Sequence, residues 1–244
     1  MVVLAAGRGS RLGALGGSTP KWLLPVGGRT IADRHLEGVA LAAPAVDGVH
    51  VVVGHEGDVI ARELAARPES VEVIENPEFA KINNWWSLLL GLRALPAEGP
   101  VVVVNADLLA EPAVLAAFIG DAMAGPADGL LAVDTERPVT DESMKVSCRA
   151  GGVLDRIGKV GVEHPVGEYV GMLMARGDTL RRVRAELEGF VGHPEAVNEW
   201  YEGAVARTIA AGAEWRVWPM PSSRWVEIDD DADLDAARAL VGGR

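Results

Sequence analysis

The chain has 244 residues, 49% of them apolar, and a formal charge of -12. That length suits one large α/β domain whose core needs no disulfide staple, and no apolar run approaches the roughly 20 residues of a membrane span. The acidic balance disfavours nucleic acid as a partner, so anionic ligands must be met by local cations or by metal.

A lone cysteine, Cys148, permits no internal disulfide and suits a reducing compartment. The first residues lack the basic segment of a secretory signal, and a cytoplasmic location is the expectation. Nothing in the sequence specifies an oligomeric state.

In chain order, the apolar run over residues 2–6 reads as a buried strand. It leads into Gly7-Arg8-Gly9-Ser10-Arg11-Leu12, and Pro20-Lys21 follows. Glycines let several N–H groups converge on a ligand, and arginine and lysine add charge directed at phosphate. The segment reads as a triphosphate cradle. A dinucleotide fingerprint would need a glycine where Leu12 stands, and a Walker A loop would need Gly-Lys-Ser/Thr.

Thr30 is placed to cap a helix running to about residue 43, before Pro44. Strands are expected over 49–53, 71–74 and 101–104, with helices over 58–67, 84–95 and 112–123. From residue 130 the strands shorten: 130–133, 144–148, 153–157 and 169–175, with a hairpin turn at 149–152. Helices are then expected over 178–187 and 195–211, extended segments over 215–218 and 225–228, and a final helix over 231–241. Alternating strands and helices argue a mostly parallel sheet covered on both faces. The whole chain, 1–244, reads as one domain. Its nucleotide-binding half runs to about residue 128, and a substrate-side half built onto the same sheet fills about 129–244.

Gly-x-Gly-x-Arg followed by Pro-Lys resembles the nucleotidyltransferase family that joins NTPs to phosphorylated sugars and alcohols. The likeness is close from Leu4 to Val26. It implies a Rossmann-like three-layer α/β/α fold, as in nucleotide-diphospho-sugar transferases, with a mixed, mostly parallel sheet. It also implies that Leu4, Ala5, Ala6, Gly7, Arg8, Gly9, Ser10, Arg11 and Lys21 bind the nucleotide. Arg11 and Lys21 would act in catalysis by neutralising the departing pyrophosphate.

Asp107 follows the most apolar strand, where ligands of open α/β sheets bind. A turn aspartate would look the same, but the resemblance implies a metal ligand that also meets the nucleotide. The acid often found two residues on is Leu109 here, and the nearest earlier polar residue is Asn105. In Trp225-Val226-Glu227-Ile228-Asp229, Asp229 matches the family's second metal motif, while Asp231, Asp233 and Asp235 read as a solvated helix start. Two aspartates completed by water and phosphate oxygens suit Mg²⁺.

Asn83-Asn84-Trp85-Trp86-Ser87-Leu88 resembles the choline-phosphate cytidylyltransferase branch, with Asn84 and Ser87 set to read a pyrimidine edge. Met144-Lys145, Gly158-Lys159 and Gly167-Glu168-Tyr169 resemble cytidylyltransferases of phosphonate pathways, implying that Lys145 meets the acceptor's phosphonate or phosphate. Trp200 and Glu202 on a helix, with Glu168, would surround a cationic head group. The expected partners are CTP and a small phosphonate or phosphocholine-like acceptor, without nucleic acid or membrane. Sugar- or inositol-phosphate transfer and a non-catalytic nucleotide sensor are the competing readings.

Overall fold

Four valine-rich runs make the middle of the sheet. The computed structural model describes residues 1–9, 11–12 and 19–242. Ser10, named above, lies outside the described residues.

The first half contains β1 (Val2–Ala5), a 3₁₀ turn at Lys21–Leu23, β2 (Pro25–Val26), β3 (Arg29–Thr30), α1 (Ile31–Leu41), β4 (Val49–Val53), α2 (Gly57–Ala65), β5 (Val71–Glu75), α3 (Asn84–Ala94), β6 (Val101–Asn105), β7 (Leu108–Ala110) and α4 (Pro112–Ala124). The second half contains β8 (Gly129–Asp134), β9 (Lys145–Cys148), β10 (Leu154–Gly158), β11 (Gly167–Ala175), α5 (Gly177–Phe190), a 3₁₀ turn at Pro194–Asn198, α6 (Tyr201–Ala210), β12 (Arg216–Pro219), β13 (Trp225–Glu227) and α7 (Asp231–Gly242).

Strands β5, β4, β1 and β6 lie side by side and parallel. Strand β11 runs antiparallel to β6 and carries both β8 and the β9–β10 hairpin. Strand β12 adds parallel to β8. Among the described residues, both halves of the chain therefore share one nine-stranded mixed sheet.

Alternation along the strands builds a core on each face. Val102 and Val104 of β6 pack with Ile31, Ile60, Leu115 and Phe118 from α1, α2 and α4. Val101 and Val103 pack on the other side with Trp85, Leu88, Leu187 and Val205 from α3, α5 and α6. This is the three-layer α/β/α arrangement, with parallel pairing among β5, β4, β1 and β6.

Local chemistry accounts for most boundaries. Thr30 and Asp33 form a reciprocal capping box at the start of α1. Asp230 and Asp233 do the same for α7, each side chain accepting from the other's backbone N–H. Two expectations need correction. A single helix over 195–211 does not form, because the carbonyls of Ala196, Val197 and Asn198 accept bonds from Trp85 and Asn83 at the start of α3. The chain is extended at Glu199 and Trp200, so Trp200 precedes α6 rather than lying on it. In addition, β7, too short to show alternation, pairs antiparallel with β13, joining Leu108 to Glu227.

Candidate active site

The carboxyl ends of β1 and β6 open on a cavity of about 460 Å³. Leu4, Ala5, Gly7, Arg8, Gly9, Arg11 and Lys21 line one end, and Glu142, Lys159, Glu168, Trp200 and Glu202 line the other. Asp107, Glu227 and Asp229 also line it. A recess of about 180 Å³ shares Leu4, Gly7, Asn84, Asn105 and Asp107 with the cavity and adds Ala6, Phe79 and Ser87.

Lys21 is held by the 3₁₀ turn, in which Trp22 and Leu23 are buried. Gly9 has φ +58°, and a Cβ there would lie 3.1 Å from the Lys21 Cγ. Glycine thus serves both the turn and the lysine stem. Lys21 Nζ lies 2.5 Å from Asp229 Oδ1 and 3.4 Å from Asp107 Oδ2. Arg11 Nη2 reaches Asp229 Oδ2 at 2.8 Å. The Arg8 guanidinium lies over the Phe79 ring at 5.6 Å.

A second tie joins the same two loops. The Trp22 indole N–H donates to His35 Nδ1 at 3.1 Å, and His35 Nε2 meets the Leu108 carbonyl at 2.8 Å. Those partners specify a neutral imidazole with its proton on Nε2. Burial pushes this histidine down to a pKa of about 4, although the Leu108 carbonyl opposes the shift. His35 thereby joins the neighbour of Lys21 to the neighbour of Asp107.

Three acids converge where sequence reasoning named two. One carboxylate oxygen from each of Asp107, Glu227 and Asp229 lies within 4.8 Å of the others. Glu227 and Asp229 are two residues apart at the end of β13, which turns them to one side. The β7–β13 pairing and the Ile228 N–H to Asp107 carbonyl bond of 3.0 Å bring them to the β6 loop. The Glu-x-Asp spacing was the available signal for Glu227.

The charges within this group are unequal. At Lys21, burial is outweighed by Asp107 and Asp229, and its pKa rises. At Asp229, burial is outweighed by Lys21 and Arg11, and the pKa falls. Burial and the Asp229 charge raise Asp107 despite Lys21. Glu227 faces the open cavity, yet surrounding protein and the charges of Asp107 and Asp229 push it up to about 8. The buried Oδ1 of Asp107 has no hydrogen-bond partner among the described residues. Hard oxygen donors, mutual repulsion and an orphaned carboxylate oxygen fit a divalent cation such as Mg²⁺.

Other expected residues take varied positions. Ser87 is buried and accepts from Asn76 Nδ2 at 2.9 Å. Asn84 Oδ1 accepts from the Tyr201 N–H at 3.0 Å, so this oxygen serves the start of α6. Lys145 Nζ donates to the carbonyls of Asp141 and Lys159, at 3.2 and 2.9 Å, outside the lining of the cavity. Lys159 lines this end of it instead, with Nζ 4.4 Å from the Trp200 ring centre and 3.2 Å from Glu142. Burial raises Glu168, although Ser143 donates a hydrogen bond to it. Glu202 is buried, with Oε2 unpartnered among the described residues, and burial pushes its pKa up to about 7, although its own backbone N–H opposes the shift.

A phosphate-loop α/β sheet with cationic and acidic groups meeting beyond its strand ends defines a nucleotide-handling protein. Residues 1–213 match the MobA-like NTP transferase domain, and the chain belongs to that family. It is 33% identical over 250 residues to a CMP-5'-(3-aminopropyl)phosphonate synthase of Streptomyces rubellomurinus, a match covering 95% of this chain and 37% of the relative. It is 29% identical to a bifunctional IPC transferase and DIPP synthase of Rubrobacter xylanophilus, covering 99% of this chain and 51% of that one. The chain thus spans between about a third and a half of these relatives' length.

Among solved structures, an inositol-1-phosphate CTP transferase from T. maritima shares the fold, with a TM-score of 0.79, 19% identity, and 98% and 94% of the two chains covered. The CTP:phosphocholine cytidylyltransferase of Streptococcus pneumoniae gives 0.75 at 18% identity, covering 98% and 97%. No helix among the described residues is long and apolar enough to cross a membrane.

Proposed function

We propose that the chain is a Mg²⁺-dependent cytidylyltransferase. It transfers CMP from CTP to a small phosphonate or phosphocholine-like acceptor and releases pyrophosphate. The observation that carries this reading is the meeting of Lys21, Asp107 and Asp229 on one cavity wall. The similarity to a CMP-aminopropylphosphonate synthase supports the nucleotide and the acceptor class.

An acceptor phosphonate or phosphate oxygen is largely ionised near neutral pH and needs no general base; a phosphate monoester's second pKa is about 6. That oxygen forms a bond to the α-phosphorus as the bond to the β-phosphate bridging oxygen breaks, and both electrons leave with pyrophosphate. Arg8, Arg11 and Lys21 hold the polyphosphate and offset the charge on the leaving group. Asp107 and Asp229, with Glu227 beside them, would hold the Mg²⁺, which adds positive charge at the same oxygens when bound. Ser87, accepting from Asn76, keeps its own proton to donate to a base edge. Lys159 takes the acceptor's anionic group in place of Lys145, while Glu168, Glu202 and Trp200 face an ammonium.

The similarity to an inositol-1-phosphate CTP transferase favours a second reading, with an inositol or sugar phosphate as acceptor. A pyrophosphate-release assay should cross the four NTPs with aminoalkylphosphonates, phosphocholine, inositol phosphate and sugar 1-phosphates. Turnover with CTP and a phosphonate or phosphocholine is expected. Turnover confined to a sugar or inositol phosphate would replace the acceptor assignment. Nucleotide binding without release under any pairing would instead favour a sensor.

A further inference from the structure

Asn105 ends β6, two residues before Asp107, and its side chain lines both the main cavity and the smaller recess. Its carboxamide has a defined orientation. The Tyr201 hydroxyl donates to Asn105 Oδ1 at 3.0 Å. Having given its proton to the asparagine, Tyr201 must accept from Tyr169, whose hydroxyl lies 2.9 Å away. Both phenols are buried, so the chain of bonds is sheltered from water. It fixes Oδ1 inward and leaves Nδ2 as the free half of the amide. Among the described residues, no protein acceptor takes an Nδ2 proton.

The opposite strand makes room for this amide. Gly171 in β11 has φ +83°, and a Cβ there would fall 2.7 Å from Asn105 Nδ2 and 3.0 Å from its Cβ and Cγ. Both the backbone conformation and the clearance require glycine. A donor held in one orientation at the junction of two compartments is prepared for an acceptor oxygen that spans them.

We propose that Asn105 is a nucleotide-binding residue whose Nδ2 donates to an oxygen at the sugar–α-phosphate junction, with Tyr201 as its positioning residue. This rests on the nucleotidyltransferase reading, in which the nucleoside enters the recess and the polyphosphate lies along the loop. The partner is either a ribose hydroxyl or a non-bridging α-phosphate oxygen.

The test is calorimetric titration of the four NTPs with Mg²⁺ and no acceptor, followed by steady-state kinetics. Asn105→Ala should weaken binding of the preferred nucleotide about tenfold, in the range of one lost hydrogen bond. Asn105→Asp, which places a carboxylate beside the acids, should weaken it at least as much. Tyr201→Phe should give a smaller loss of binding with an unchanged circular dichroism spectrum, because the amide can then rotate. If ribose is the partner, wild type should lose the same factor with a deoxynucleotide, and Asn105→Ala should lose nothing further. If the α-phosphate is the partner, Asn105→Ala should weaken every nucleotide alike and lower kcat more than it raises KM.

Binding by Asn105→Ala and Asn105→Asp within twofold of wild type would overturn the proposal. Should wild type bind nucleotide but release no pyrophosphate, the transferase reading fails while loss of binding in Asn105→Ala still upholds the contact. Failure of wild type to bind any nucleotide overturns both.

Discussion

The two ends of the cleft are built in different ways. At the loop end, Arg11, Lys21, Asp107 and Asp229 are linked by ion pairs of 2.5 to 3.4 Å. At the other end, Glu142, Lys159 and Trp200 come from separate loops, Glu168 from β11 and Glu202 from α6. The first arrangement charges a wall against an anion. The second pairs one lysine with Glu142 over the Trp200 ring, in a cavity also lined by Glu168 and Glu202, which suits an acceptor bearing both an anionic and a cationic group. In the proposed transferase reading, fixed chemistry is concentrated at the loop end, and discrimination between acceptors at the far end.

Substitutions can break that division. Asp107→Ala should cost the most, about a thousandfold or more in kcat, equivalent to about 4 kcal/mol. Its melting temperature should hold or rise, because burial and the Asp229 charge disfavour this carboxylate and Lys21 keeps Asp229 as its partner. A near-normal rate in a pyrophosphate assay would remove Asp107 from the metal site. Lys159→Ala should raise the acceptor KM about tenfold or more with a smaller effect on the CTP KM, whereas Lys145→Ala should leave the acceptor KM nearly unchanged. Equal effects on both substrates would blur the two ends.

Two pH experiments sharpen the comparison through stability. The Glu202 pKa is raised to about 7 in the folded protein by burial. The unfolded chain therefore gives up this proton first, and stability falls as pH rises from about 4.5 to 7. Glu202→Gln should be more stable than wild type at pH 8 by up to about 3 kcal/mol, measured by urea unfolding. His35 works in the opposite sense. Its folded pKa of about 4 lies below the ordinary 6.5. Its contribution is complete above pH 6.5 and is lost as pH falls towards 4, by up to about 3 kcal/mol. His35→Gln should flatten that acid limb; an unchanged limb would mean that other groups govern it.

Much of the loop end was legible in sequence, because its groups sit in contiguous motifs. Gly9, Pro20-Lys21, the Thr30 cap and the valines before Asp107 each declare a local conformation. Glu227 was visible only as half of a Glu-x-Asp pair whose register depends on β7, a strand too short to show alternation. Lys145 and Lys159 could not be separated by pattern alone. Which of them reaches the cavity depends on the β9–β10 hairpin and on the carbonyls that hold the Lys145 amine. Trp200 was assigned to a helix because its neighbours favour one. The carbonyls such a helix would need are taken by Asn83 and Trp85, more than a hundred residues earlier.

The pairing of β7 with β13 joins points nearly half the chain apart. A nascent polypeptide that has delivered only the first seven strands already holds Asp107, but two of the three acids have yet to be synthesised. Long-range closure of this kind is slow compared with local helix formation. The acidic cluster should therefore be among the last parts to assemble, and a protease cut shortly before Trp225 should spare the large sheet while abolishing the carboxylate clasp.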